Sequence, residues 1–320
     1  MRILWLADER HMRVCDFWGP LPAALSKLTE VEVVRRKLDM LEGKFCHATT
    51  MQGRRLRPLL TPAYANTFDW VITDAMWSFL SEPWDHITAH KAILWADNHG
   101  PMVARYVGFA HAAAFDLFLP MYRDGASRFH SYLDPAKVMW LPFWLNEEVY
   151  VDYGLNKDIP ILQTGVVHPR VYPLRQRVFD ALQREPYFKR IQRPVENMEG
   201  KYWPVGRDYA RVLNRAWIST ACTSCYHYSL SKLFEIPAAN SVLACDWIPE
   251  MADLGFEPGA NFLLLTQDMN LRAWAKRWLA PGQRDELQRI SRAGYDLMHS
   301  RHTATRRAAE LLDVLTERKA

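Results

Sequence analysis

Glu235 interrupts the apolar run of KLFEIPAANSVLACD (232–246), and Lys232 precedes it by one helical turn. A carboxylate there either pairs with Lys232 on a partly exposed helix start or accepts hydrogen bonds from ligand hydroxyls. A second cluster, ADNHGP (96–101), sets Asp97 and His99 at the end of an apolar run, where Gly100 and Pro101 turn the chain. A carboxylate and an imidazole this close can share general-base work; equally, Asp97 can cap a following helix while His99 packs on it. Asp8 and His11, after the opening run RILWLA (2–7), offer the same two groups, and Asp74 closes DWVITD (69–74).

A different chemistry follows ILQTG (161–165). Thr164 and Gly165 close that run, and YPLRQR (172–177) then supplies Arg175 and Arg177. A glycine turn leading into a helix and guanidinium groups is suited to phosphate oxygens, because free N–H groups and planar forks both donate to them. Each of Arg175, Arg177 and Lys232 alone is an ordinary surface charge; their places after successive apolar runs single out Arg175 and Lys232. The chain has no GxGxxG and no GxxxxGK[ST], so nothing supports a dinucleotide oxidoreductase or a P-loop enzyme. Cys222-Thr-Ser-Cys225 has a metal or redox spacing but lacks a second CxxC. With five cysteines and no leader, a disulfide framework is not expected and no metal is assigned.

These groups need elements to hold them, and the elements alternate. RILWLA, VEVV (31–34), DWVITD, KAILWADNHG (91–100), DLFL (116–119) and VMWLPF (138–143) read as short strands separated by helical stretches. After the polar stretch 145–158 the pattern restarts. IPILQTG (159–165), AWIST (216–220), the VLA of 242–244 and FLLLT (262–266) read as strands, YPLRQRVFDALQ (172–183) as a helix, and the tail from Gln283 as long helices. Short buried strands alternating with helices indicate an α/β fold of parallel sheets covered on both faces. The expected division is 1–145, 146–290, and a helical tail 291–320 that can return to the first domain. Ligands of such sheets bind beyond the carboxyl ends of the strands, where every candidate above lies.

The 320 residues are enough for two cores, and 49% hydrophobic with 24% charged residues is an ordinary globular composition. A net charge of +4 tolerates an anionic partner without the footprint of a dedicated DNA binder. Most of the thirteen tryptophans are expected in cores. Neither a leader pattern nor a membrane-spanning run is read, so the expected location is cytoplasmic.

KLFEIPAANSVLACD, followed by PEMADLGFEPGANFLLL, resembles the donor-binding core of group 1 glycosyltransferases. WLPF, ILQTG with YPLR, YARVLNRAWIST and RHTATRRAAELLDVL are similar, in the same order, to the spore-maturation-type (CgeB-like) branch. The resemblance covers most of 138–315. It implies a GT-B fold, two Rossmann-like domains facing across a cleft, the second binding a nucleotide-diphosphate sugar (a UDP- or other NDP-sugar) and the first an acceptor. It implies that Glu235 accepts from ribose hydroxyls; with that donor, Arg175 and Lys232 are the groups expected at the diphosphate, and Thr164 and Gly165 join them as donor-binding candidates. His227 stands where many retaining members carry a second Glu, so it either contacts sugar or phosphate or packs. No metal or further cofactor is implied. For an inverting reaction the base is Asp97 or His99, with Asp8 and His11 behind them. Acceptors in view are a glycan, a protein, a small molecule or hydroxymethylated DNA; a non-catalytic sugar-nucleotide-binding module and an epimerase are the other readings.

Overall fold

The computed structural model describes residues 1–8, 19–36, 58–73, 82–95, 108, 114–124, 131–191 and 206–319. The chain separates into two compact units, one of Met1–Pro142 with Ala304–Ala320 and one of Phe143–Thr303.

Among the described residues the first unit holds five strands: β1 (Arg2–Asp8), β2 (Glu30–Arg36), β3 (Trp70–Thr73), β4 (His90–Trp95) and β5 (Leu117–Pro120). All pair in parallel, in the order β2-β1-β3-β4-β5. β3 and β5 are buried along their whole length, as befits strands covered on both faces. The sheet packs into a cluster with Leu4, Leu6, Val71, Trp84, Ile93, Trp95, Phe115 and Phe118. Helices α1 (Pro20–Leu25) and α2 (Pro62–Ala65) each begin on a proline, whose fixed φ suits the first helical position.

VMWLPF is not a strand. Val138 alone bridges Phe118, and only Met139 and Leu141 donate on to the carbonyls of Phe118 and Pro120. Pro142 has no N–H to continue such a ladder.

The second unit repeats the plan with β6 (Ile159–Thr164), β7 (Phe188–Ile191), β8 (Ala216–Thr220), β9 (Val242–Cys245) and β10 (Leu263–Leu264). These are again all parallel, in the order β10-β9-β8-β6-β7. Numbered within its own unit and read from the appropriate edge, each sheet has the order 2-1-3-4-5. Connections leave in opposite directions from the first and third strands, so each sheet has a crevice between them: β1/β3 in one unit, β6/β8 in the other. Between the strands run α3 (Pro173–Leu182), α4 (Gly206–Asn214), α5 (Lys232–Ala238) and α6 (Glu250–Asp253), and α7 (Leu271–Trp278) follows the last strand. The long α8 (Arg284–Arg301) packs on α5 and β9, and α9 (Ala304–Lys319) ends the chain within the first unit. Ile161, Leu174, Val178, Ile218, Val242, Leu287 and Ile290 are central to the second core.

Candidate functional site

At the β6/β8 crevice several of the candidate residues of the second unit meet. β6 runs straight into Gly165, whose φ of +93° is a left-handed conformation that favours glycine. The lack of a side chain matters equally. A Cβ on Gly165 would lie 3.1 Å from Arg175 Nη1 and 3.2 Å from Lys232 Cε, so two cationic side chains lie against this one turn.

Arg175 reaches the turn from the first helical turn of α3. Gln163, fully buried at the end of β6, donates from Nε2 to the Arg175 carbonyl at 2.9 Å, fastening α3 to the strand exit. The guanidinium lies 4.0 Å from the Tyr172 ring centroid and donates from Nη1 to the Val166 carbonyl at 2.8 Å. Arg175 is only 4% exposed, and its Nε has no hydrogen-bond partner among the described residues. A guanidinium this buried is no solvated surface charge. Arg177 goes elsewhere: it donates to the carbonyls of Thr266 and Met269 and secures the chain after β10.

Lys232 is the first residue of α5. Its Nζ donates to the Tyr209 hydroxyl at 3.3 Å and lies 5.3 Å from that ring's centroid. Burial works against the ammonium, but Tyr209 and the Glu235 carboxylate outweigh it and hold the group above the usual lysine range. Glu235, three residues on, shares that face of α5. Leu233, Phe234 and Pro237 on the opposite face are buried, which fixes the rotation of the helix and sets the two charged groups on its other side. Thr164 completes the set, its Oγ1 2.9 Å from the Tyr209 hydroxyl.

The loop after β8 forms the neighbouring wall. Asp246, just past β9, accepts from Thr223 N and Thr223 Oγ1, both at 2.8 Å. Burial raises its carboxyl above the ordinary value, and Thr223 and the His227 charge oppose this. Ser224 and His227 both take left-handed φ values, 63° and 56°, in a tight loop closed by Tyr228 N donating to Thr223 O at 2.8 Å. His227 is exposed on this loop. Burial also pushes up the Cys222 and Cys245 thiols, Cys245 strongly, so both stay protonated and are poor nucleophiles and metal ligands. Among the described residues no group of three or more His, Cys, Asp or Glu could hold a metal ion.

Thus Thr164, Gly165, Arg175, Lys232 and Glu235 converge on one crevice, with His227 on the adjoining loop. Tyr209 belongs with them and has no local sequence signal: it lies 45 residues from Thr164 and 23 from Lys232. In the first unit Asp8 ends β1, at the equivalent crevice. His11, Asp74, Asp97 and His99 lie outside the described residues.

Residues 175–313 match a family model described as "Glycosyl transferase-like", a span that contains Arg175, Tyr209, Lys232 and Glu235. No curated protein matches the sequence. Several solved structures do match the fold. Anabaena HepE, crystallised with UDP-glucose, aligns with a TM-score of 0.64 at 12% identity, covering 99% of this chain and 100% of that one. Sucrose-phosphate synthase from Thermosynechococcus elongatus aligns at 0.63 and 11% identity, covering 99% and 98%. A glycosyltransferase from Rickettsia africae aligns at 0.61 and 8% identity, again covering 99% and 98%. The protein therefore has the two-domain, Rossmann-like α/β fold of the GT-B glycosyltransferases, and its residues 175–313 carry the glycosyl transferase-like segment.

Proposed function

We propose that the protein is a glycosyltransferase that moves a sugar from a nucleotide-diphosphate sugar to an acceptor hydroxyl. The observation that carries this reading is the convergence of Arg175 and Lys232 on the side-chain-free Gly165 turn. Two cations at a strand exit suit a diphosphate, and Glu235 beside them suits a diol. The matched family segment and the UDP-glucose complex of HepE point the same way.

In this reading the acceptor oxygen attacks the anomeric carbon as the bond from that carbon to the diphosphate breaks. The nucleoside diphosphate leaves with the bonding electrons, and Arg175 and Lys232 offset the charge that grows on it. The acceptor proton passes to a base, assigned to Asp97 or His99, with Asp8 and His11 as the next choices, or to the departing phosphate oxygen. The ribose hydroxyls donate to Glu235, and His227 lies on the sugar side. The chemistry is proposed to need no metal, the two side-chain cations taking that role.

Calorimetry with UDP-, GDP-, ADP- and TDP-sugars tests the donor. One of them is expected to bind, and Glu235→Ala should weaken it about tenfold or more, the worth of one or two charge-assisted hydrogen bonds. Equal affinity in the variant would remove Glu235 from the ribose. Absence of binding by every donor would remove the function. Activity unchanged by a chelator is the expected result for the metal-independent route.

A further inference from the structure

Tyr209 comes from α4 and is 5% exposed. Its hydroxyl is shared between two elements. Lys232 Nζ from α5 approaches to 3.3 Å and Thr164 Oγ1 from the end of β6 to 2.9 Å. An ammonium can only donate, so Lys232 takes a lone pair of the phenol oxygen, and the phenol with its own proton shares its second bond with the Thr164 hydroxyl. Burial holds the phenol above its ordinary pKa, which keeps that proton in place. Tyr209 thereby links Lys232 on one side to Thr164 on the other.

Lys232 needs such a hold. Its Cε and Arg175 Nη1 would both press on a Cβ at Gly165, so two like-charged side chains share one small turn. Arg175 works against the Lys232 charge, and a flexible lysine stem would relieve that repulsion by swinging out to water. The Tyr209 hydroxyl and the electron-rich face of its ring oppose the swing.

We propose that Tyr209 is a positioning residue, which holds the Lys232 ammonium at the Gly165 turn so that Lys232 and Arg175 form a ready-made pair for the diphosphate of the donor. This rests on the donor-binding reading above. The gain is one of preorganisation: the lysine is placed before the ligand arrives, so less order has to be imposed on binding. Tyr209 itself touches no phosphate in this scheme, and its effect passes through Lys232.

The test uses whichever of UDP, GDP, ADP and TDP the wild-type protein binds, with the matching nucleoside as control. Tyr209→Phe keeps the ring and removes the hydroxyl. Diphosphate affinity should fall about tenfold while nucleoside affinity stays unchanged. In a Lys232→Met background the same change should cost less than about twofold, because the group it positions is gone. Thr164→Val, which frees the phenol from its second partner, should reproduce part of the loss and covers the case of poor folding in Tyr209→Phe. Wild-type diphosphate affinity in a folded Tyr209→Phe, or in Thr164→Val where Tyr209→Phe does not fold, or a full tenfold effect of Tyr209→Phe on top of Lys232→Met, would overturn the assignment. A wild-type protein that binds none of the diphosphates would overturn the donor reading, and this inference with it.

Discussion

Gly165 is the residue on which the proposed donor site turns, for two separable reasons. Its φ of +93° strains any side chain, and a Cβ would press on Arg175 and Lys232 at 3.1 and 3.2 Å. Gly165→Ala should therefore cost about 1–2 kcal/mol of stability through the backbone. It should also lower diphosphate affinity by more than that strain accounts for, as both cations are displaced. Urea unfolding and calorimetry on the same preparation separate the two effects; a stability loss with unchanged affinity would mean that the cations do not meet ligand at this turn. Much of this site is legible in the sequence because its residues follow strand ends: Gly165 closes β6, and Lys232 and Glu235 open the helix before β9. Tyr209 is not legible, since a tyrosine on an amphipathic helix looks like core until Thr164 and Lys232 are seen at its hydroxyl. Arg175 is half legible. Its position is plain, but its burial depends on Tyr172 stacking and on the Val166 carbonyl.

Elements reach that geometry only if their far ends are tied, and at the amino end of β8 this falls to Lys157. Its ammonium donates to the carbonyls of Asn214, Ala216 and Asn240, the last residue of α4, the first of β8 and the second residue beyond α5. Asp152 binds the side-chain amides of Asn214 and Asn240 and completes the knot. Burial pushes Lys157 down to about 8, and the Asp152 carboxylate opposes this. The folded chain thus releases this proton before the unfolded chain does, so its contribution makes stability rise with pH between about 8 and the free lysine value near 10.4. Below that window the burial cost stands in full. From pH 8 to 10 the wild type should gain about 2 kcal/mol relative to Lys157→Met. Urea midpoints of the two proteins measure it, and parallel curves would sink the claim. Strand identity was readable where strands are buried on both faces, as in WVIT and VLAC. It was not readable for β7, whose FKRI sequence is charged and half-exposed because it lies at a sheet edge. Nor was it for VMWLPF, whose apolar run mimics a buried strand but whose ladder is reduced to one bridge and two hydrogen bonds.

For the molecule as a whole the chain order itself is informative, because the last helix belongs to the unit made first. α9 packs on α1 and buries Ala304, Ala308, Leu311 and Leu315. The Leu315 carbonyl accepts from the indole of Trp70, a fully buried residue of β3, at 3.1 Å. Lys319 pairs with Asp69 at 2.7 Å, and their bond holds the Asp69 carboxyl below its usual range. Ending the chain at residue 303 would leave that indole without its acceptor and expose the apolar stripe. Two leucines alone contribute about 3–6 kcal/mol when fully buried, a sizeable part of what a small domain has to spare. The truncated protein is therefore expected to unfold its first unit at markedly lower urea while the second unit melts as before. All of Thr164, Gly165, Arg175, Tyr209, Lys232 and Glu235 lie within Phe143–Thr303, so nucleoside diphosphate affinity should survive the truncation. Sugar transfer should be lost if the base lies in the first unit, as assigned to Asp97 or His99. Proteolysis followed by mass spectrometry reports the first effect, calorimetry the second, and a transfer assay the third. Retained transfer with an unfolded first unit would instead leave the proton to the departing phosphate oxygen or to a base in the second unit, where the exposed His227 beside Asp246 would be the group to examine.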